Sequence, residues 1–145
     1  MNSSTEDVVV TFYPPGKPSV VLSCEVAKTG PEKTTGLMYR SSLPREKGML
    51  FVFWCSWPRT FWMKHVSIPL DIIFINSKCT VISIHETSVG MGFFNKEFWA
   101  CGFGKYVIEC NKGFCATHHI SRGTKILIQD KKGIQKNTKN DNSIK

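Results

Sequence analysis

The sequence predicts a mainly β domain, a compact rolled antiparallel sheet or small barrel with one or two short helices, with α+β as the alternative. Three observations lead there. β-Branched and aromatic runs recur at short, uneven spacing with Gly, Pro, Asn and Ser between them. No internal repeat at a period of 20 to 50 residues interrupts that pattern. A chain of 145 residues, 41% apolar and 12% aromatic, can bury one core without disulfides or metal.

Strands are expected over residues 8–12, 19–27, 49–54, 61–66, 70–75, 79–85, 106–110 and 125–129. The clearest pair is LDIIFINSKCTVISIHE, where two β-branched runs flank Asn76-Ser77-Lys78, a polar link suited to a hairpin. A helix is expected over residues 31–40. Thr29 or Gly30 can cap it, Pro31 suits its first turn and Glu32 favours the positive end of its dipole, while Gly36 costs about 1 kcal/mol relative to Ala. A second short helix is expected over residues 114–120, ended by the Arg122-Gly123 turn.

The domain is expected over residues 1–130, followed by a disordered basic tail over 131–145. That tail holds five Lys against Asp141 alone, so it carries half of the net charge of +8. The rest has an ordinary charge balance and no basic cluster inside its apolar segments, which argues against nucleic acid as a partner. No apolar run is long enough to span a bilayer, and Glu6 and Asp7 stand where an export signal needs a basic start. A cytoplasmic location is therefore expected. There the six cysteines, Cys24, Cys55, Cys79, Cys101, Cys110 and Cys115, would stay unpaired.

Three segments in order, GLMYR (36–40), GMLFVF (48–53) and FWMKHVSIPLDIIFI (61–75), with YVIECNKG (106–113) after them, resemble the family known as domain of unknown function 192. The resemblance spans residues 20–129. It implies a β-rich fold and carries over no activity. Met63-Lys64-His65-Val66 departs from the family's usual Met-Lys-Asn-Thr, and this chain also lacks the export signal found on many relatives.

Chemistry is sought first where charges fall inside apolar runs. Asp71 lies in the run from Ile68 to Phe74, Glu109 lies between Ile108 and Cys110, and Glu25 poses the question more mildly. Arg40 and Lys64 are the cations available to answer them. Arg40, Lys64, Asp71 and Glu109 are thus expected to line a pocket for a small polar ligand, or, in an enzyme, to supply paired carboxylates for acid and base work. The architectural alternative is an ion-pair network. A metal site of Cys110, Cys115, His118 and His119, with Cys101 nearby, rests on the spacing Cys115-x-x-His118 alone, so no cofactor is expected. The Gly-punctuated aromatic stretch over 90–104 reads as a flap over the pocket, a surface for stacking on bases, or a satellite core at one end of the barrel.

Overall fold

The computed structural model describes residues 7–90 and 92–136. The chain forms β1 (Asp7–Tyr13), β2 (Val20–Ala27), α1 (Gly30–Thr35), β3 (Lys47–Trp62), β4 (Leu70–Ile75), β5 (Val81–Glu86), β6 (Trp99–Asn111), α2 (Phe114–Thr117) and β7 (Lys125–Asp130). The strands make one sheet in the order β5-β4-β6-β3-β2-β1-β7. That sheet curls until its two ends touch, through a bridge between Thr80 and Lys125 and a hydrogen bond from Val81 N–H to the Thr124 carbonyl at 2.9 Å. The result is a half-barrel of the mainly β class. It differs from a purely antiparallel roll in one place, because β2 and β3 run parallel with α1 as their crossover.

Alternation along the central strands divides the apolar side chains into two cores. The concave core takes Leu50 from β3, Ile73 and Ile75 from β4, and Tyr106, Ile108 and Cys110 from β6, with residues of β1, β2 and β7. The outer core takes Met49 and Phe51, then Leu70, Ile72 and Phe74, and Val107. Every residue of β4 is buried.

Two expected strands, 49–54 and 61–66, merge into the single strand β3. Between the pairs Val52–Tyr106 and Trp57–Gly104, β3 spends four residues, Phe53–Ser56, where β6 spends only Lys105. This bulge bends both strands, so that Trp57–Trp62 and Trp99–Gly104 form an arm over the outer core. A Cβ on Gly102 would stand 2.5 Å from the Phe74 ring, so the arm seats on β4 only because that position is Gly. The aromatic stretch over 90–104 therefore resolves into a strand from Trp99 onward. Phe98 is buried, and Trp99 packs on Trp62, Phe93 and Phe98 with centroids 5.6, 5.0 and 5.4 Å away.

Helix α1 begins as expected. Thr29 accepts from Glu32 N–H at 3.2 Å, and the Glu32 carboxylate accepts from Thr29 N–H at 3.0 Å, a complete capping box. It ends at Thr35, short of Arg40, because Gly36 turns to φ +49°. Helix α2 likewise stops at Thr117, with His119 left-handed two residues on. The expected link Asn76-Ser77-Lys78 is a longer turn, in which Asn76 Oδ1 accepts from Lys78 and Thr80 N–H groups at 3.0 Å each. Of the expected tail, residues 131–136 turn back on β7, with a bridge between Gln129 and Gln135 and an ion pair from Lys131 to Asp7 at 3.0 Å. The remainder lies outside the described residues.

The GLMYR and MKHV segments meet through one main-chain bond, Tyr39 N–H to the His65 carbonyl at 2.9 Å, with the two rings stacked at 5.0 Å. Both residues are left-handed, Tyr39 at φ 66° and His65 at φ 59°. Asn and His are among the side chains that tolerate this region, which accounts for His65 standing where the resembled pattern has Asn. His65→Asn should change stability by no more than about 0.5 kcal/mol, whereas His65→Val should cost about 1–2 kcal/mol. Urea midpoints of the two variants check this.

Candidate functional site

The sheet sends the two interior carboxylates to opposite faces. On β4, Asp71 alternates with Leu70 and Ile72 and shares the concave core with Cys110, its register partner. There its Oδ2 accepts from Cys115 N–H at 3.0 Å, fastening the first turn of α2 to β4. Its Oδ1 is buried without a partner among the described residues. Glu109 pairs with Ile72 and Met49, and so faces the outer core. Arg40 meets neither carboxylate. Its guanidinium forms a two-pronged ion pair with Glu25, one prong Nη2 to Oε1 at 3.1 Å and the other from Nη1 to Oε2, tying the loop after α1 to β2. Lys64 is exposed, with Nζ 5.2 Å from the centre of the Trp62 ring. The four expected site residues are therefore not brought together, and Glu109 alone lines a pocket.

The cysteines and histidines are also kept apart. Cys110 and Cys115 are buried thiols in the concave core, and Cys110 is pushed up by its hydrogen bond with Cys115 and then by burial. His118 packs against Phe114 with centroids 4.7 Å apart, His119 is exposed, and Cys101 sits on the arm beside Thr60. Among the described residues no group of three or more His, Cys, Asp or Glu side chains is arranged to hold a metal ion.

The pocket over Glu109 is an open cavity of about 430 Å³ between α1 with its following turn, the bulged part of β3 and the arm. Glu109 and Phe51 form its floor. Gly36 passes directly above them, and a Cβ there would stand 3.2 Å from the Phe51 ring and 3.6 Å from Glu109 Oε1. Its φ of +49° reserves the position for Gly in any case. Phe53, Phe61 and Trp62 supply aromatic walls, and Thr34, Thr35 and Thr60 line the pocket as well. Two cations stand over one ring, Lys33 Nζ at 4.2 Å and the Arg59 guanidinium carbon at 3.8 Å from the Phe53 centroid.

Glu109 is 4% exposed, and its carboxyl makes no hydrogen bond or ion pair with the described residues. Burial alone pushes its pKa up from 4.5 to about 8, so the group is mostly neutral at pH 7 and can donate a hydrogen bond. Lys33 is lowered, by burial first and then by the like charge of Arg59. Sequence reasoning found Glu109 as a charge inside an apolar run. It missed Lys33, Arg59 and Phe53, whose meeting depends on the β3 bulge.

The sequence profile of domain of unknown function 192, described as an uncharacterized ACR, matches residues 13–128. The chain belongs to this family. No curated protein matches it. Solved structures do, and two of them follow. One is a protein from Sinorhizobium meliloti 1021, provisionally described as a transcription regulator, which is 28% identical with a TM-score of 0.80 over 88% of this chain and 98% of that one. The other is a protein of unknown function from Novosphingobium aromaticivorans DSM 12444, 31% identical with a TM-score of 0.72 over 87% of this chain and 89% of that one. This member of the domain of unknown function 192 family has no helix, among the described residues, long and apolar enough to cross a membrane.

Because the folded state holds its proton on Glu109 up to about pH 8 while the unfolded chain releases it near 4.5, stability is full below pH 4.5 and is lost as pH rises toward 8. The contribution of this one group falls by at most about 1.4 kcal/mol per pH unit. The difference in unfolding free energy between the parent and Glu109→Gln, measured by urea titration from pH 5 to 9, should follow that slope and level off above pH 8. A difference that does not vary with pH would contradict the buried neutral carboxyl.

Proposed function

We propose that this protein is a small-molecule binding module that takes a small polar ligand into the pocket over Glu109. The observation that supports it is a largely buried carboxyl with no hydrogen-bond partner among the described residues, placed where a cavity meets it. Buried polar groups are nearly always hydrogen-bonded, and here the carboxyl meets the cavity in place of a protein group. A ligand that accepts a hydrogen bond from the neutral acid would supply the missing partner. The aromatic walls would give such a ligand apolar contact, and the cavity volume suits a molecule of metabolite size.

An acid and base enzyme is the second reading, favoured by a carboxyl that titrates near neutrality. What weighs against it is the lining of the pocket, which contains neither a second carboxylate nor a His or Cys to act with Glu109. Asp71, the expected companion, is on the far side of the sheet. A cytoplasmic location fits six cysteines that are all free thiols. A nucleic-acid role acting through the basic tail has only the provisional description of the Sinorhizobium protein beside it.

A library of small polar fragments, screened by amide NMR at pH 6.5, tests the binding reading. Fragments that bind should shift the amides of Gly36, Leu37 and residues 59–62. Glu109→Leu, which keeps the bulk and removes the donor, should abolish those shifts while leaving the fold intact. Shifts that never reach these residues, or that survive the variant unchanged, would refute the proposal. Substrate turnover abolished by Glu109→Gln would favour the enzyme.

A further inference from the structure

We infer that the ligand of this pocket is a small organic anion, a carboxylate or phosphate monoester on an apolar body, gripped at its charged end by Lys33 and Arg59. The inference rests on the pocket reading above and adds the sign and chemistry of the ligand. Lys33 from α1 and Arg59 from the arm converge on the same Phe53 ring, and among the described residues Glu109 is the one carboxyl lining the pocket. Holding two like charges together is unfavourable, and Lys33 is lowered by burial first and then by the like charge of Arg59. An anion placed between them would relieve it.

Arg59 is also positioned in advance. Its Nε donates to the Gly104 carbonyl at 3.2 Å and its Nη2 to the Cys55 carbonyl at 2.8 Å, so the fork is oriented by the bulge before any ligand arrives. A guanidinium fixed in this way suits the planar, two-pronged acceptors of carboxylates and phosphates, and fixing it beforehand removes part of the entropy cost of binding. The depth of the pocket agrees with the sign. A cationic ligand would be favoured by an ionised carboxylate at the floor, whereas Glu109 is mostly neutral at pH 7 and presents an O–H to an acceptor on the ligand. Lys33 and Arg59 are the charged groups that face Glu109 across the cavity, and His and Cys side chains are absent from its lining. Phe51, Phe61 and Trp62 would hold the apolar body.

Isothermal titration of the full-length protein with benzoate, phenyl phosphate, benzylamine and benzyl alcohol tests the inference, because the four share a ring and differ in charge. The expected result is saturable binding of benzoate or phenyl phosphate at pH 6.5, with benzylamine at least about tenfold weaker. The stronger of the two anions tells which headgroup the site prefers. Lys33→Met and Arg59→Met should each weaken anion binding by about tenfold or more. Arg59 also supports the arm, so Lys33→Met, on the half-exposed face of α1, is the variant that separates recognition from folding. Anion affinity should fall between pH 7 and pH 9 as Glu109 ionises, and Glu109→Gln should remove that fall while leaving any loss due to Lys33. Preferential binding of benzylamine or benzyl alcohol would overturn the inference and leave the pocket reading standing. Anion binding untouched by Lys33→Met and Arg59→Met would overturn it too, and failure of all four probes would overturn both.

Discussion

From Gly104 to Cys110 strand β6 is buried on both faces, and the rest of the molecule follows from that constraint. A strand with a single covered face can send its polar side chains to water at every second residue, but this part of β6 and the whole of β4 have no such outlet. The curl of the sheet covers one face. The other needs a second cover, assembled from the turn after α1, the segment 63–69 and the arm made by bending β3 and β6. The cover lies close to the sheet at Gly102, where a Cβ would stand 2.5 Å from the Phe74 ring, and at Gly36, where it would stand 3.2 Å from the Phe51 ring.

The cover is incomplete over Glu109, and the gap is the pocket. Ionising a carboxyl with Ile72 and Met49 as its neighbours would be costly, so the group keeps its proton. A protein selected only for stability would carry an apolar residue there, since replacing an unpaired buried polar group by one of similar size is often neutral or stabilising. Asp71 gives the contrast. It is buried as deeply, yet one of its oxygens accepts from Cys115 N–H and fastens α2 to the sheet. Of two charges inside apolar strands, one holds the fold together and the other faces an opening.

Much of the fold was legible because it is written in local pattern. The runs at 8–12, 70–75 and 125–129 sit inside strands of nearly the same bounds, and the capping box at Thr29 and Glu32 starts α1 where expected. What was not legible depends on register between strands distant in sequence. Alternation alone shows that Asp71 and Glu109 are each interior, but only the pairing of Asp71 with Cys110 shows that they face opposite ways. The partner of Arg40 was hidden for the same reason, since Glu25 reaches it through the parallel pairing of β2 with β3. The merger of two expected strands into β3 hid Lys33 and Arg59, because a four-residue bulge opposite Lys105 leaves no mark in the periodicity. The left-handed His65, a residue other than glycine, closed off the strand expected over 61–66 in the same hidden way.

The central claim is that Glu109 is a buried, proton-bearing group without a partner among the described residues. Carboxyl-carbon NMR of protein labelled at its glutamate side chains, titrated from pH 4 to pH 10 with Glu109→Gln supplying the assignment, measures it directly. The expected result is a resonance that titrates near pH 8 in the parent and is missing from Glu109→Gln. A Glu109 resonance that titrates near pH 4.5 would mean that the carboxyl is ionised and paired or hydrated in solution, and the pocket would lose its proton donor.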